Sequence, residues 1–203
     1  MTQSKNNDNR YRITQTLLSS WLYSCTSDEN YQDFISTLNR EKKPPTQAML
    51  DGRQFENVVN AVLNGAIIEP EHKWYNPIKE LEPILNGAQQ QVTLFKDIEI
   101  DGMTFTLHGV LDFLKCGEIF DTKYSKTYHY GKYLNSPQHP MYFRLVPEAY
   151  KFTYLICDGK NIYKEVYRPN EIEPIEHTIT NFINFLKKYD LIETYFEKWQ
   201  LKK

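Results

Sequence analysis

His108-Gly-Val-Leu-Asp112-Phe-Leu-Lys-Cys116-Gly117-Glu118-Ile-Phe-Asp121-Thr-Lys123 is the stretch that decides how this chain folds. An apolar run from Leu107 to Leu114 meets Cys116-Gly117, and a second run starts at Glu118. Two residues between alternating runs, with Gly in second place, signal a β-hairpin. With Cys116-Gly117 as the loop, Lys115 faces Glu118, Leu114 faces Ile119, and Asp112 faces Asp121. Side chains alternate along a strand, so Asp121 and Lys123 share a face about 7 Å apart. Phe113 and Phe120 then point to the opposite face, towards a core. Like charges directly opposite destabilise a sheet, so two facing carboxylates call for a bound cation. A three-residue loop would instead put Asp112 and Asp121 on opposite faces.

Outward from the hairpin, period-two patterning continues. Gln91 to Ile100 reads as a strand, Asp101-Gly102 as a turn and Met103 to Leu114 as the next strand. With Glu118 to Tyr124 these form an antiparallel meander. Upstream, helices are expected over Ile13–Tyr23, Tyr31–Asn39, from a Thr46 cap to about Asn64, and over Trp74–Leu85. Downstream, a helix starts near Asn135 or Ser136 and runs to about Leu145. Strands follow over Ala149–Cys157 and Asn161–Tyr167. A helix capped by Asn170, with Pro174 in its first turn, carries the stripe Ile175, Ile179, Phe182, Ile183 and Leu186. A last amphipathic helix spans Leu191–Leu201. The expected class is α/β in the α+β sense, without regular βαβ alternation: a central mixed sheet flanked by helices, with N- and C-terminal helical additions.

A chain of 203 residues supports one well-buried core. Residues 1–10 are expected to be disordered and 11–203 to form a single domain. The formal net charge of −2 gives no global basic field, which argues against a protein that merely coats nucleic acid. The three cysteines, Cys25, Cys116 and Cys157, are isolated and lack zinc or iron–sulfur spacing, as suits a reducing, cytoplasmic compartment. The polar start is not read as a signal peptide, and no stretch has the length of a membrane span.

Asp112 and Asp121 supply hard oxygen ligands on neighbouring strands, which suits Mg²⁺ or Mn²⁺. Lys123 adds a compact positive charge able to orient a water and to stabilise charge developing on a phosphate. Together they are the parts needed for metal-aided attack of water on a phosphodiester. Asp–Lys pairs on solvated sheet faces are also common and weak, and that is the competing account. On the Thr46 helix, Gly52, Glu56, Val59 and Leu63 form one ridge, so Glu56 should face inward. Tyr124 to Tyr133 interleaves tyrosines with Lys126, His129 and Lys132. That segment either stacks bases and holds phosphates of a single strand, or packs its tyrosines on the sheet.

Gly109-Val-Leu-Asp112 followed by Asp121-Thr-Lys123 resembles the active-site hairpin of the PD-(D/E)xK nuclease superfamily. Gln138-His-Pro-Met-Tyr142 is similar to the Gln-x-x-x-Tyr motif of its RecB-like exonuclease branch. Gly52-Arg-Gln-Phe-Glu56 resembles the helix that brings a further acid to the metal. These pieces stand in the family's order over about residues 50–145, which is harder to meet by chance than D-x-K alone. The resemblance implies a restriction-endonuclease-like core and a metal-dependent deoxyribonuclease. It makes Asp112, Asp121, the Thr122 carbonyl and Glu56 metal ligands and Lys123 the catalytic lysine. Gln138 and Tyr142 position DNA or the active-site groups, and Tyr124, Lys126 and Lys132 join them as DNA contacts.

The chain departs from the family in two places. Phe55 stands where many RecB-like members carry a His, which shifts the first-helix role to Glu56, and Leu111 replaces the usual Pro. The single early cysteine and the lack of any late group imply no iron–sulfur cluster. Pro140 leaves the helix start open: from Ser136 it includes Gln138, from His139 it excludes it. Alternatives to an exonuclease of DNA processing, recombination or repair are an endonuclease or structure-specific nuclease. A non-catalytic nucleic-acid or protein-binding module on a nuclease-derived fold is the rival from another class. A phage or mobile-element setting rests on analogy of fold. DNA, single- or double-stranded, is the expected partner, with a protein partner or second copy left open and no membrane.

Overall fold

The computed structural model describes residues 9–201. It contains six strands and seven α-helices. In chain order these are β1 (Arg10–Thr14), α1 (Gln15–Ser24), α2 (Asp28–Leu38), α3 (Gln47–Leu63), α4 (Tyr75–Leu85), β2 (Gln89–Ile100) and β3 (Met103–Lys115). Then come β4 (Glu118–Tyr124), α5 (Gln138–Leu145), β5 (Lys151–Cys157), β6 (Ile162–Tyr167), α6 (Ile175–Lys188) and α7 (Ile192–Trp199). The strand order is β1-β3-β4-β5-β6, with β2 paired to β3. Pairing is parallel for β1/β3 and β4/β5 and antiparallel for β3/β4 and β5/β6, so the sheet is mixed, as expected from the sequence. The described residues cluster into two compact units, one of 9–42, 94–109 and 174–201 and the other of 43–93 and 110–173.

In the first unit β1 is the main departure from the sequence reading, which placed a helix over Ile13–Tyr23 and disorder over residues 1–10. Residues 1–8 lie outside the described residues, but Arg10 opens a strand in parallel register with Thr104 of β3. Tyr11 and Ile13 are buried and alternate with more exposed neighbours. The helix starts at Gln15 because Thr14 Oγ1 accepts the Leu17 amide at 3.2 Å. The sequence missed β1 because its partner is about ninety residues away, and pairing of that range leaves no local signature. The C-terminal stripe Ile175, Ile179, Phe182, Ile183 and Leu186 is buried as expected. Its helix, however, is not capped by Asn170. Pro169–Glu171 forms a 3₁₀ turn, and α6 begins after Pro174, which offers no side-chain cap. Trp199 Nε1 donates to the Leu38 carbonyl at 2.8 Å, and Tyr195 hydroxyl to that of Arg12 at 3.1 Å, so α7 closes this unit.

The second unit holds the hairpin. β3 and β4 pair with Phe113 opposite Phe120, Leu114 opposite Ile119 and Lys115 opposite Glu118. Cys116 and Gly117 have φ of 49° and 76°, the doubly left-handed geometry of a two-residue hairpin turn, so the two-residue loop is the one adopted. A Cβ at Gly117 would also sit close to the Tyr150 ring, at 3.2 Å. Phe113 and Phe120 enter a core with Phe55, Val59, Trp74, Ile78 and Leu155, as their alternation required. Thr46 caps α3 through the Met49 amide at 3.3 Å. The segment between β4 and β5 carries α5, so a β-α-β crossover joins two parallel neighbours, which the sequence reading did not anticipate.

Candidate active site

Alternation along β4 puts Asp121 and Lys123 on one face, the face opposite Phe120. Asp121 is buried at 2% exposure, and Lys123 Nζ lies 2.7 Å from its Oδ2. Gln138 Nε2 donates to the other oxygen, Oδ1. Apart from the Lys123 ammonium, Asp121 Oδ2 has no hydrogen-bond partner among the described residues. Across the hairpin, Asp112 Oδ2 accepts the Thr122 amide at 3.0 Å and the Thr122 hydroxyl at 3.4 Å. These contacts tie the two acidic strands together at the level of the carboxylates.

The electrostatics follow from burial. Desolvation, then the neighbouring Asp121 charge and less strongly that of Glu56, raise the Asp112 carboxyl well above the ordinary range, with Lys123 and the Thr122 amide opposing. Burial alone would lower the Lys123 ammonium, but Asp121 and Asp112 outweigh it and the pKa is raised. Lys123 therefore stays protonated at neutral pH.

Helix α5 starts at Gln138, which settles the open question of its first turn. Pro140 falls at the third position, where its missing N–H would have had no intrahelical acceptor. Gln138 and Tyr142 are four apart on one face and both buried. Gln138 holds Asp121, while Tyr142 hydroxyl donates at 2.7 Å to the Val110 carbonyl, two residues before Asp112. The motif thus grips both acidic strands from one helix. Burial and the two aspartate charges raise the Tyr142 hydroxyl, which keeps it a donor.

The other expected residues have partners of their own. Glu56 is half-buried at the edge of the helix face; the apolar ridge of α3 is Phe55, Val59 and Val62, not Gly52, Glu56, Val59 and Leu63. Gln91 Nε2 donates to Glu56 Oε1 at 3.0 Å. Among the described residues, no three His, Cys, Asp or Glu side chains come together as a metal-holding group. Tyr124 packs against Trp74 and Phe55, with ring centroids 5.2 and 5.7 Å apart. Lys126 pairs with Asp51 at 2.9 Å. Lys132 donates to Ser125 Oγ at 2.6 Å and to the Thr127 carbonyl at 3.2 Å. These side chains line a cavity of about 440 Å³ with Gln47, Tyr133 and Asp51. His108 stacks on Phe95 at 4.5 Å, and burial lowers its pKa.

The residue that sequence reasoning missed is Glu165. It is 2% exposed and its oxygens accept from Tyr128 hydroxyl (2.8 Å), Gly131 amide (3.0 Å), Tyr133 amide (3.4 Å) and Tyr167 hydroxyl (2.8 Å). It lies in register with Tyr154, which is in register with Asp121. Tyr133 stacks on Tyr154 at 4.7 Å, and Lys123 Nζ lies 5.8 Å above the same ring. Glu165 therefore anchors the loop before α5 onto the face that carries Asp121. The available signal was the alternation Tyr163, Glu165, Tyr167, an acid between tyrosines on one strand face.

No protein-family model matches the chain, and no curated protein matches it. Among solved structures it resembles one titled "Crystal structure of SSO0001", with a TM-score of 0.54 at 15% identity over 91% of this chain and 79% of that one. At that identity the likeness is one of fold.

Proposed function

We propose that this protein is a divalent-metal-dependent deoxyribonuclease of the RecB-like PD-(D/E)xK type, acting as an exonuclease in DNA processing. One observation carries the reading. Asp112 and Asp121 meet across the β3–β4 hairpin with Lys123 beside them, while the Gln138/Tyr142 helix grips both strands.

The site fits Mg²⁺ or Mn²⁺. It offers one buried and one partly exposed carboxylate on facing strands, and the ionisation of the second, Asp112, is opposed by its neighbours until a cation arrives. Asp112 and Asp121 would hold the ion, with water and phosphate oxygens completing its shell, as Mg²⁺ usually requires. Glu56, engaged by Gln91, would reach it by releasing that partner. The bound ion would polarise the scissile phosphate and lower the pKa of its own water. Lys123, held protonated, orients the attacking water and stabilises charge on the phosphoryl oxygens. Gln138 fixes the orientation of Asp121, and Tyr142 fixes the backbone leading into Asp112.

The test is purified protein with linear DNA in Mg²⁺, Mn²⁺ or a chelator. Wild type should cut only with metal, and Lys123→Ala should lose activity by a factor of about 10²–10³, as expected for removing one charge-stabilising group. Equal cutting by Lys123→Ala overturns the assignment. Circular single-stranded DNA should resist cutting, because an exonuclease needs an end.

A further inference from the structure

The sheet has a second functional-looking face, opposite Asp121. In register there, Phe120 lies beside Thr153 and Val166, Thr122 beside Leu155 and Lys164, and Glu118 beside Lys151. Helix α4 covers only part of this face. Beyond its last turn, at Ile84, a cavity of about 350 Å³ remains open. Its accessible apolar floor is Ile84 and Val166, laid over the buried Phe120 and Leu155, and the half-exposed ring of Tyr150 forms one wall. Lys115, Lys151 and Lys164 ring it, with Glu118 as the opposing acid, a surplus of two positive charges on a chain that is net negative.

The cations differ in what they already bind. Lys115 Nζ donates to the Ile84 carbonyl at 2.9 Å and so is held at the rim. Lys151 pairs with Glu118 at 2.8 Å, and Thr153 hydroxyl donates to the same carboxylate at 2.8 Å. Lys164 is exposed and has no ion-pair partner among the described residues. Neither an apolar ligand nor a bare anion uses the whole surface: the first leaves the ammonium groups idle, the second leaves the aromatic wall and floor idle. The volume lies at the low end of small-ligand sites.

We propose that this cavity binds a mononucleotide, its ring between Tyr150 and the apolar floor and its phosphate among Lys115, Lys151 and Lys164. The site is separate from the acidic centre, because alternation along β4 sends Phe120 and Asp121 to opposite faces. It does not depend on the nuclease reading.

Cys116, an exposed thiol in the cavity wall, reports occupancy, and Cys25, also exposed but in the other unit, is an internal control. The full-length protein is labelled with a thiol-reactive disulfide in chelator, with and without AMP or dAMP, and labelling is mapped by peptide mass spectrometry. The nucleotide should slow Cys116 labelling at least fivefold and leave Cys25 unchanged. Phosphate alone and adenosine alone should each protect at least tenfold more weakly. Lys164→Glu should raise the protecting nucleotide concentration at least tenfold, and Asp121→Asn should leave it unchanged. Lack of protection, equal protection by phosphate or adenosine, indifference to Lys164→Glu, or loss with Asp121→Asn would each overturn the proposal. None of these readouts depends on DNA cleavage.

Discussion

Lys123 Nζ lies 2.7 Å from Asp121 Oδ2, two residues along one strand face, and no hydrogen-bond donor shares that oxygen. The lysine is the internal counter-ion of a buried carboxylate. Removing one partner of such a pair leaves an uncompensated charge, which costs more than the pair itself contributes. Lys123→Met should therefore destabilise the protein by about 2 kcal/mol, less than for a fully buried pair because the lysine is a third exposed. Asp121→Asn in the same chain should recover much of that loss. Urea midpoints for the single and double variants measure it, and an unchanged midpoint for Lys123→Met would show that the pair carries no weight.

Gln138→Leu removes the donor to Asp121 Oδ1 and leaves a buried acceptor unsatisfied. The expected cost is about 1–3 kcal/mol. Under the proposed function, the turnover rate should fall more than DNA affinity does, because Asp121 loses its orientation while the binding surface is unchanged. A fall confined to DNA affinity would instead make Gln138 a substrate contact.

Glu165→Ala strips the acceptor from two tyrosine hydroxyls and two backbone amides at once. Amide hydrogen exchange should accelerate at Gly131 and Tyr133, while amides of α6, in the other unit, keep their protection. The loss should reach about 3 kcal/mol, since several donors become buried without partners. Glu165→Gln keeps one acceptor oxygen and should be milder. Unchanged exchange at Gly131 would show that the loop is held by its ring contacts alone.

His139 is 2% exposed and stacks on Tyr167 at 4.0 Å, and burial lowers its pKa to about 4. Its unfolded value is about 6.5, so the unfolded chain binds the extra proton between the two. Stability from this group is present above pH 6.5 and is lost as pH falls from 6.5 to 4. The loss reaches about 2 kcal/mol by pH 5. His139→Phe should flatten that part of the stability–pH curve; an unaltered slope would place the titration elsewhere.

Much of the second unit could be read locally. The Cys116-Gly117 turn dictated its own geometry, because two positive φ angles and a two-residue spacing admit one register, and that register brings Asp112 towards Asp121. The Gln138/Tyr142 spacing puts both side chains on one helix face only if the helix includes Gln138, which Pro140 left open and the structure decides. What each side chain then grips was not readable. That Tyr142 reaches the Val110 carbonyl and Glu56 meets Gln91 depends on how elements far apart in sequence pack.

Sequence alone determined the hairpin, the α+β class, the buried stripe of α6 and the shared face of Asp121 and Lys123, all consequences of turn chemistry and side-chain period. Only the tertiary structure made Arg10–Thr14 a strand, joined β4 and β5 in parallel, and turned Glu165 from an ordinary acid into the anchor of a loop. Those features arise from pairing over long separations, whose free energy comes from burial and hydrogen bonding in the assembled sheet and leaves no periodic trace in the segments themselves.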